Sequence, residues 1–140
     1  MKEKETGYLH KVQYYETDKM GVTHHSNYIR WMEEARIDCL EKLGWGYDKL
    51  ESMGVLSPVL SVECKYCQST TFHDEIGIKV STKAFNGVRL VLEYEMYRLS
   101  DGKLVCEAVS EHAFLDRNFR PVRMKKEFPD FYETMLEQVK

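Results

Sequence analysis

At its centre this chain passes from helical spacing of its hydrophobic residues to strict alternation, and that change limits the folds open to it. From Tyr28 onward, Tyr28, Trp31, Met32, Ala35, Cys39, Leu40 and Leu43 recur at spacings of three and four. Arg30, Glu33, Glu34, Asp38 and Glu41 fall largely on the opposite side. This predicts an amphipathic helix of about four turns. Ser26 or Asn27 is the expected N-cap, and Gly44 ends the helix in the left-handed conformation that glycine accepts. After Pro58 the period becomes two. Leu60, Val62, Cys64 and Tyr66 alternate with Ser61, Glu63 and Lys65, which predicts a half-buried strand. Three more such stretches follow, at 76–84, 89–99 and 104–116. Asn86-Gly87 and Asp101-Gly102 stand between them as signals for two-residue turns, which join only antiparallel neighbours. The last three long strands are therefore read as an antiparallel meander.

The flanking segments are shorter. "GYLHKVQYY" alternates weakly and predicts a strand over Tyr8–Tyr15. "ETDKMGVTHHSN" has no period and reads as loop. "YDKLESMG" predicts a short helical piece closed by Gly54, and "PDFYETMLEQV" a C-terminal helix. The order is β–α–β–β–β–β–α. A helix face holding Trp31, Met32 and Leu40 must be buried, and the sheet is the only large partner within the chain. At about 25 cal/mol per Å² of apolar area, burying several large side chains contributes on the order of 10 kcal/mol before entropy. With 140 residues and no repeat, low-complexity tract or linker, the expectation is one α+β domain over residues 1–140.

Composition removes several classes of function. Hydrophobic residues make up 43% of the chain and charged residues 31%, the balance of a globular protein. A net charge of −3 offers no general attraction for nucleic acid. The most basic run, Arg120 to Lys126, is long enough only to grip a small phosphorylated ligand. The opening "MKEKETGYLH" lacks the apolar stretch of a signal peptide, and no apolar run approaches the ~20 residues of a membrane span. The expected compartment is the cytoplasm, with Cys39, Cys64, Cys67 and Cys106 as reduced thiols.

The loop before the long helix carries a recognisable pattern. Asp18, Gly21, Val22, His25, Ser26, Asn27 and Tyr28 lead into "IRWMEEAR". Further on, "VECKYCQSTTFHDEIGI" places Tyr66 and Asp74, and "HAFLDRNFRPVRM" closes the last strand. In these motifs, and over nearly its whole length, the chain resembles the 4-hydroxybenzoyl-CoA thioesterase family of hot-dog fold acyl-CoA thioesterases. The resemblance implies a curved antiparallel five-stranded sheet wrapped around one long helix, with a short C-terminal helix. It implies homodimers, often paired into tetramers, and a substrate that is a thioester of coenzyme A or acyl carrier protein. No cofactor is implied, since coenzyme A belongs to the substrate. One departure is His24, at a position often aromatic in bacterial relatives.

Each candidate has a plain reading beside the chemical one. Asp18 is either a turn aspartate bonding nearby amides, or the carboxylate that attacks the thioester or activates water. The first amides of a helix lack partners and suit a developing oxyanion. The resemblance places that donor at His25, so Asp18 and His25 form the catalytic set. Tyr15, Gly21, Val22, His24, Ser26, Asn27 and Tyr28 form the substrate-binding set, with Asn27 also read as a loop tether. Adjacent histidines rarely meet one ion, so His24-His25 is not read as a metal site. Cys64 and Cys67 match a redox spacing, but residues three apart on a strand face opposite sides, and packing is the favoured role. Two other functions stay open. One is a hot-dog dehydratase or hydratase, whose differently spaced His motif is not found here. The other is an acyl-CoA binding module without turnover.

Overall fold

The structure is a computed structural model describing residues 7–139. The charged opening at 1–6 lies outside the described residues. Strand β1 (Tyr8–Lys11) is followed by a 3-10 turn over Tyr14–Glu16, then helix α1 (Ser26–Lys42) and the short helix α2 (Tyr47–Ser52). Strands β2 (Val59–Tyr66), β3 (Glu75–Phe85), β4 (Arg89–Arg98) and β5 (Lys103–Ala113) come next, then helices α3 (Met124–Glu127) and α4 (Pro129–Glu137). The five strands form one antiparallel sheet in the order β1-β3-β4-β5-β2. The predicted meander is thus observed in its three consecutive neighbours. At one margin β1 pairs with β3, Tyr8 opposite Ile78 and Lys11 opposite Glu75.

Local chemistry explains the end of α1 and the β3–β4 turn. Gly44 has φ +86°, and the Gly44 and Trp45 amides turn back to the carbonyls of Glu41 and Leu40. That pair of bonds closes the last turn of α1 as the sequence predicts. Gly87 takes φ +88°, while Asn86 Oδ1 accepts from the amides of Val88 and Arg89 at 2.9 and 2.7 Å. The β3–β4 hairpin is therefore fixed by its own Asn-Gly pair.

Two expectations fail. The strand predicted over Tyr8–Tyr15 stops at Lys11. Glu16 folds back so that its carboxylate accepts from the Gln13 amide at 2.8 Å, and the paired tyrosines enter a 3-10 turn instead. Strand β2 was expected to bury its apolar side. Leu60, Val62 and Tyr66 are instead 46%, 37% and 45% exposed. The strand is the outermost of the sheet, with β5 as its one neighbour.

The chain forms two compact units. The first combines the segment up to Arg36 with Cys64–Val80 and Tyr94–Ala108. Its core holds Val12, Tyr28, Trp31, Met32, Ile76, Ile78, Tyr94 and Met96. Arg36 is buried there, its guanidinium donating to the Tyr94 hydroxyl at 3.3 Å. The second combines Ile37–Glu63, Ser81–Glu93 and the segment from Val109. It centres on edge-to-face rings: Phe114 and Trp45 lie 5.5 and 5.3 Å from Phe131. Among the described residues no helix is long and apolar enough to cross a membrane.

Candidate active site

The loop between the Tyr14–Glu16 turn and α1 is a miniature hairpin in the first unit. Thr17 and Thr23 form a bridge, and Thr71 Oγ1 ties the tip by donating to the Gly21 carbonyl at 2.7 Å. Asp18 starts the tip. Its amide donates to the Val22 carbonyl, and its Oδ1 accepts from the Met20 amide at 2.8 Å. Gly21 makes the reversal at φ +80°. The plain reading of Asp18 as a turn residue therefore holds for one oxygen. Its Oδ2 has no donor among the described residues, and the side chain is half-buried on a cavity of about 510 Å³.

That cavity is lined by Tyr15, Glu16, Thr17, Asp18, His24, Ser26, Asn27, Arg30 and Glu34. Of the residues singled out in the sequence, Asp18, Tyr15, His24, Ser26 and Asn27 are brought together here. Gly21 and Val22 shape the loop and do not line the cavity. Tyr28 is buried at 4% exposure, its hydroxyl 3.0 Å from Thr70 Oγ1 and its ring against Trp31 and Tyr66. It packs under the site rather than facing it, and burial pushes its hydroxyl pKa up.

The start of α1 departs from the expected capping. Neither Ser26 nor Asn27 caps through its own side chain. His24 does so: its Nδ1 accepts from the Ser26 amide at 3.2 Å and from the Ser26 hydroxyl at 2.8 Å. A backbone N–H can only donate, so Nδ1 carries no proton in this arrangement. Asn27 spends both amide hydrogens on the carbonyls of Glu16 and His24, at 2.9 and 3.3 Å. It is the loop tether that its residue type suggests.

His25 completes the turn. Its ring stacks on His24 at 4.3 Å and meets Tyr66 edge-on at 6.1 Å. Its carbonyl accepts from the Tyr66 hydroxyl at 3.3 Å. Its backbone N–H finds no acceptor among the described residues. An open amide at a helix N-terminus suits a developing oxyanion, although His25 is not among the residues that line the cavity with Asp18. Among the described residues, no group of three or more His, Cys, Asp or Glu side chains is placed to hold a metal ion.

The sequence did not single out Glu16, His10 or Glu34. Glu16 is 4% exposed, and its carboxylate accepts from His10, the Gln13 amide and the Trp31 indole. Burial pushes its pKa up, but these bonds outweigh burial and hold it below the usual glutamate value. The other ring nitrogen of His10 lies 3.0 Å from Glu34 Oε1. The contact between His10 and Glu34 spans 24 residues, and no local pattern reports it.

All four cysteines are free thiols, and Cys64 makes no bond with Cys67. The Cys64 thiol lies 3.6 Å from Met32 Sδ. A hydrogen bond from Cys106 lowers the Cys64 pKa, while Cys106 is pushed up. Cys67 sits one residue past the end of β2 and is exposed. In the second unit, Arg123, Lys125 and Lys126 line a cleft of about 440 Å³ with the Asn86–Val88 turn.

Comparison with known proteins identifies the family and the fold. Residues 12–138 match the Thioesterase-like superfamily. The chain is 34% identical over 131 residues to a putative acyl-CoA thioesterase, YneP, of Bacillus subtilis, covering 93% of this chain and 94% of that one. It is 30% identical over 120 residues to a putative esterase of Aquifex aeolicus, covering 86% and 91%. The crystal structure of a DHNA-CoA thioesterase from Staphylococcus aureus superposes with a TM-score of 0.88 at 32% identity, covering 93% of this chain and 87% of that one.

Proposed function

The chain belongs to the Thioesterase-like superfamily and shares its hot-dog fold, and on that premise we propose that it hydrolyses acyl-CoA thioesters to a carboxylic acid and coenzyme A. Within the superfamily we assign it to the 4-hydroxybenzoyl-CoA type, on the Asp18 to Tyr28 motif. The thioester carbonyl docks at the N-terminus of α1, where the open His25 amide stabilises the oxyanion. Asp18 either attacks the carbonyl carbon or takes a proton from the water that does. The C–S bond then breaks, and the coenzyme A thiolate leaves and is protonated. If Asp18 attacked, water hydrolyses the resulting anhydride. The scheme calls for no metal or redox cofactor.

One observation carries this reading. Asp18 keeps one oxygen in its turn and leaves the other on the cavity that runs to the start of α1. The partner in assembly is a second copy of the chain, and the unpaired margin and exposed apolar residues of β2 support that. The free cysteines suit a reducing cytoplasm. The test is release of free thiol across a panel of acyl-CoAs, comparing wild type with Asp18→Asn. Activity that collapses in Asp18→Asn supports the reading. Near-wild-type turnover by that variant removes Asp18 from the chemistry, and binding without any turnover makes the protein an acyl-CoA binding module.

A further inference from the structure

We propose that Glu16 is the positioning residue of this site, its main chain setting where the His25 amide stands and its buried carboxylate being locked in turn by His10 and Trp31. The inference rests on the hydrolytic reading above and names what holds that geometry.

Glu16 is bonded from three directions. Its Oε1 accepts from the Gln13 amide and faces His10 Nε2, each at 2.8 Å, which fixes it to the preceding segment. Its Oε2 accepts from Trp31 Nε1 at 2.9 Å, which fixes it to the buried face of α1. Its carbonyl accepts from the His24 amide at 2.8 Å and from Asn27 Nδ2 at 2.9 Å, and these two residues flank His25 and Ser26. The peptide that presents the His25 N–H is thus hung from the Glu16 carbonyl on both sides.

The carboxylate is itself held in place. His10 Nδ1 faces Glu34 Oε1 at 3.0 Å, and the same oxygen accepts from the Tyr8 hydroxyl at 2.9 Å. A glutamine at position 16 offers one acceptor oxygen to donors that now use two. It must abandon either Trp31 or the His10 and Gln13 pair. An oxyanion donor acts over a narrow distance range, and a displacement of about 1 Å can cost about a hundredfold in rate.

The experiment compares wild type, Glu16→Gln, Trp31→Phe and the double variant, each checked for folding by thermal melting. The expected result is a kcat lower by about tenfold to a hundredfold in each single variant, with KM within about twofold. The double variant should be no slower than the worse single one, because both act through one tether. In 15N-labelled protein the His25 amide resonance should shift in Glu16→Gln. A folded Glu16→Gln with wild-type kcat, or an unmoved His25 resonance, overturns the inference. The resonance reads the tether even if no acyl-CoA is hydrolysed, so the two proposals fail separately.

Discussion

The indole N–H of Trp31 donates to Glu16 Oε2 at 2.9 Å, tying the most voluminous fully buried side chain to a buried carboxylate in the neighbouring turn. Removing that donor while keeping a ring, as in Trp31→Phe, leaves a buried carboxylate oxygen unsatisfied. The expected loss is about 1–3 kcal/mol, with a further loss from the smaller ring. Urea denaturation measures it. A midpoint equal to wild type would show that the bond contributes nothing to folding.

Acid should loosen this unit. The Glu16 pKa is depressed in the folded chain, so its stabilisation is complete above the ordinary glutamate value of 4.5 and is lost as pH falls through the lower folded value. Melting temperature measured from neutral to acid pH should therefore fall less steeply for Glu16→Gln than for wild type. Parallel curves would contradict the assignment.

The thiol pair makes a kinetic prediction. The hydrogen bond from Cys106 brings Cys64 from the ordinary 9.0 to about 7. Alkylation at Cys64, mapped by mass spectrometry, should rise with pH to an inflection near neutrality. In Cys106→Ala the inflection should move toward the ordinary thiol value. If it stays, Cys106 does not acidify Cys64.

Strand β2 predicts assembly. Val62 is 37% exposed on a strand with one ladder neighbour. Val62→Lys should weaken self-association, shifting sedimentation toward the monomer at micromolar concentration while leaving the monomer folded. Unchanged sedimentation would place the interface elsewhere.

What the sequence makes legible is local. The helix period, Gly44 as its end and Asn86-Gly87 as a turn depend on neighbours within a few residues. Each stands where the pattern puts it. The turn around Asp18 was legible for the same reason, because the loop motif is contiguous. Glu16 was not: its role comes from His10, Trp31 and His24 converging on it. The end of β1 was missed because the Glu16 carboxylate captures the Gln13 amide, a bond that strand propensity does not register. The exposure of β2 was missed because alternation reports which side chains share a face, not whether that face is covered.

The hydrogen bond from Tyr66 to the His25 carbonyl has a consequence of its own. Tyr66 is the last residue of the outermost strand. The peptide that follows the His25 amide is thus steadied from the sheet's open margin, while the Glu16 carbonyl holds the His24 amide and the Asn27 side chain on either side. Tyr66→Phe removes this bond and leaves the His25 carbonyl with the Tyr28 amide as its donor. The end of the outermost strand and the start of α1 therefore share one fastening, and a change at either end is felt by the other.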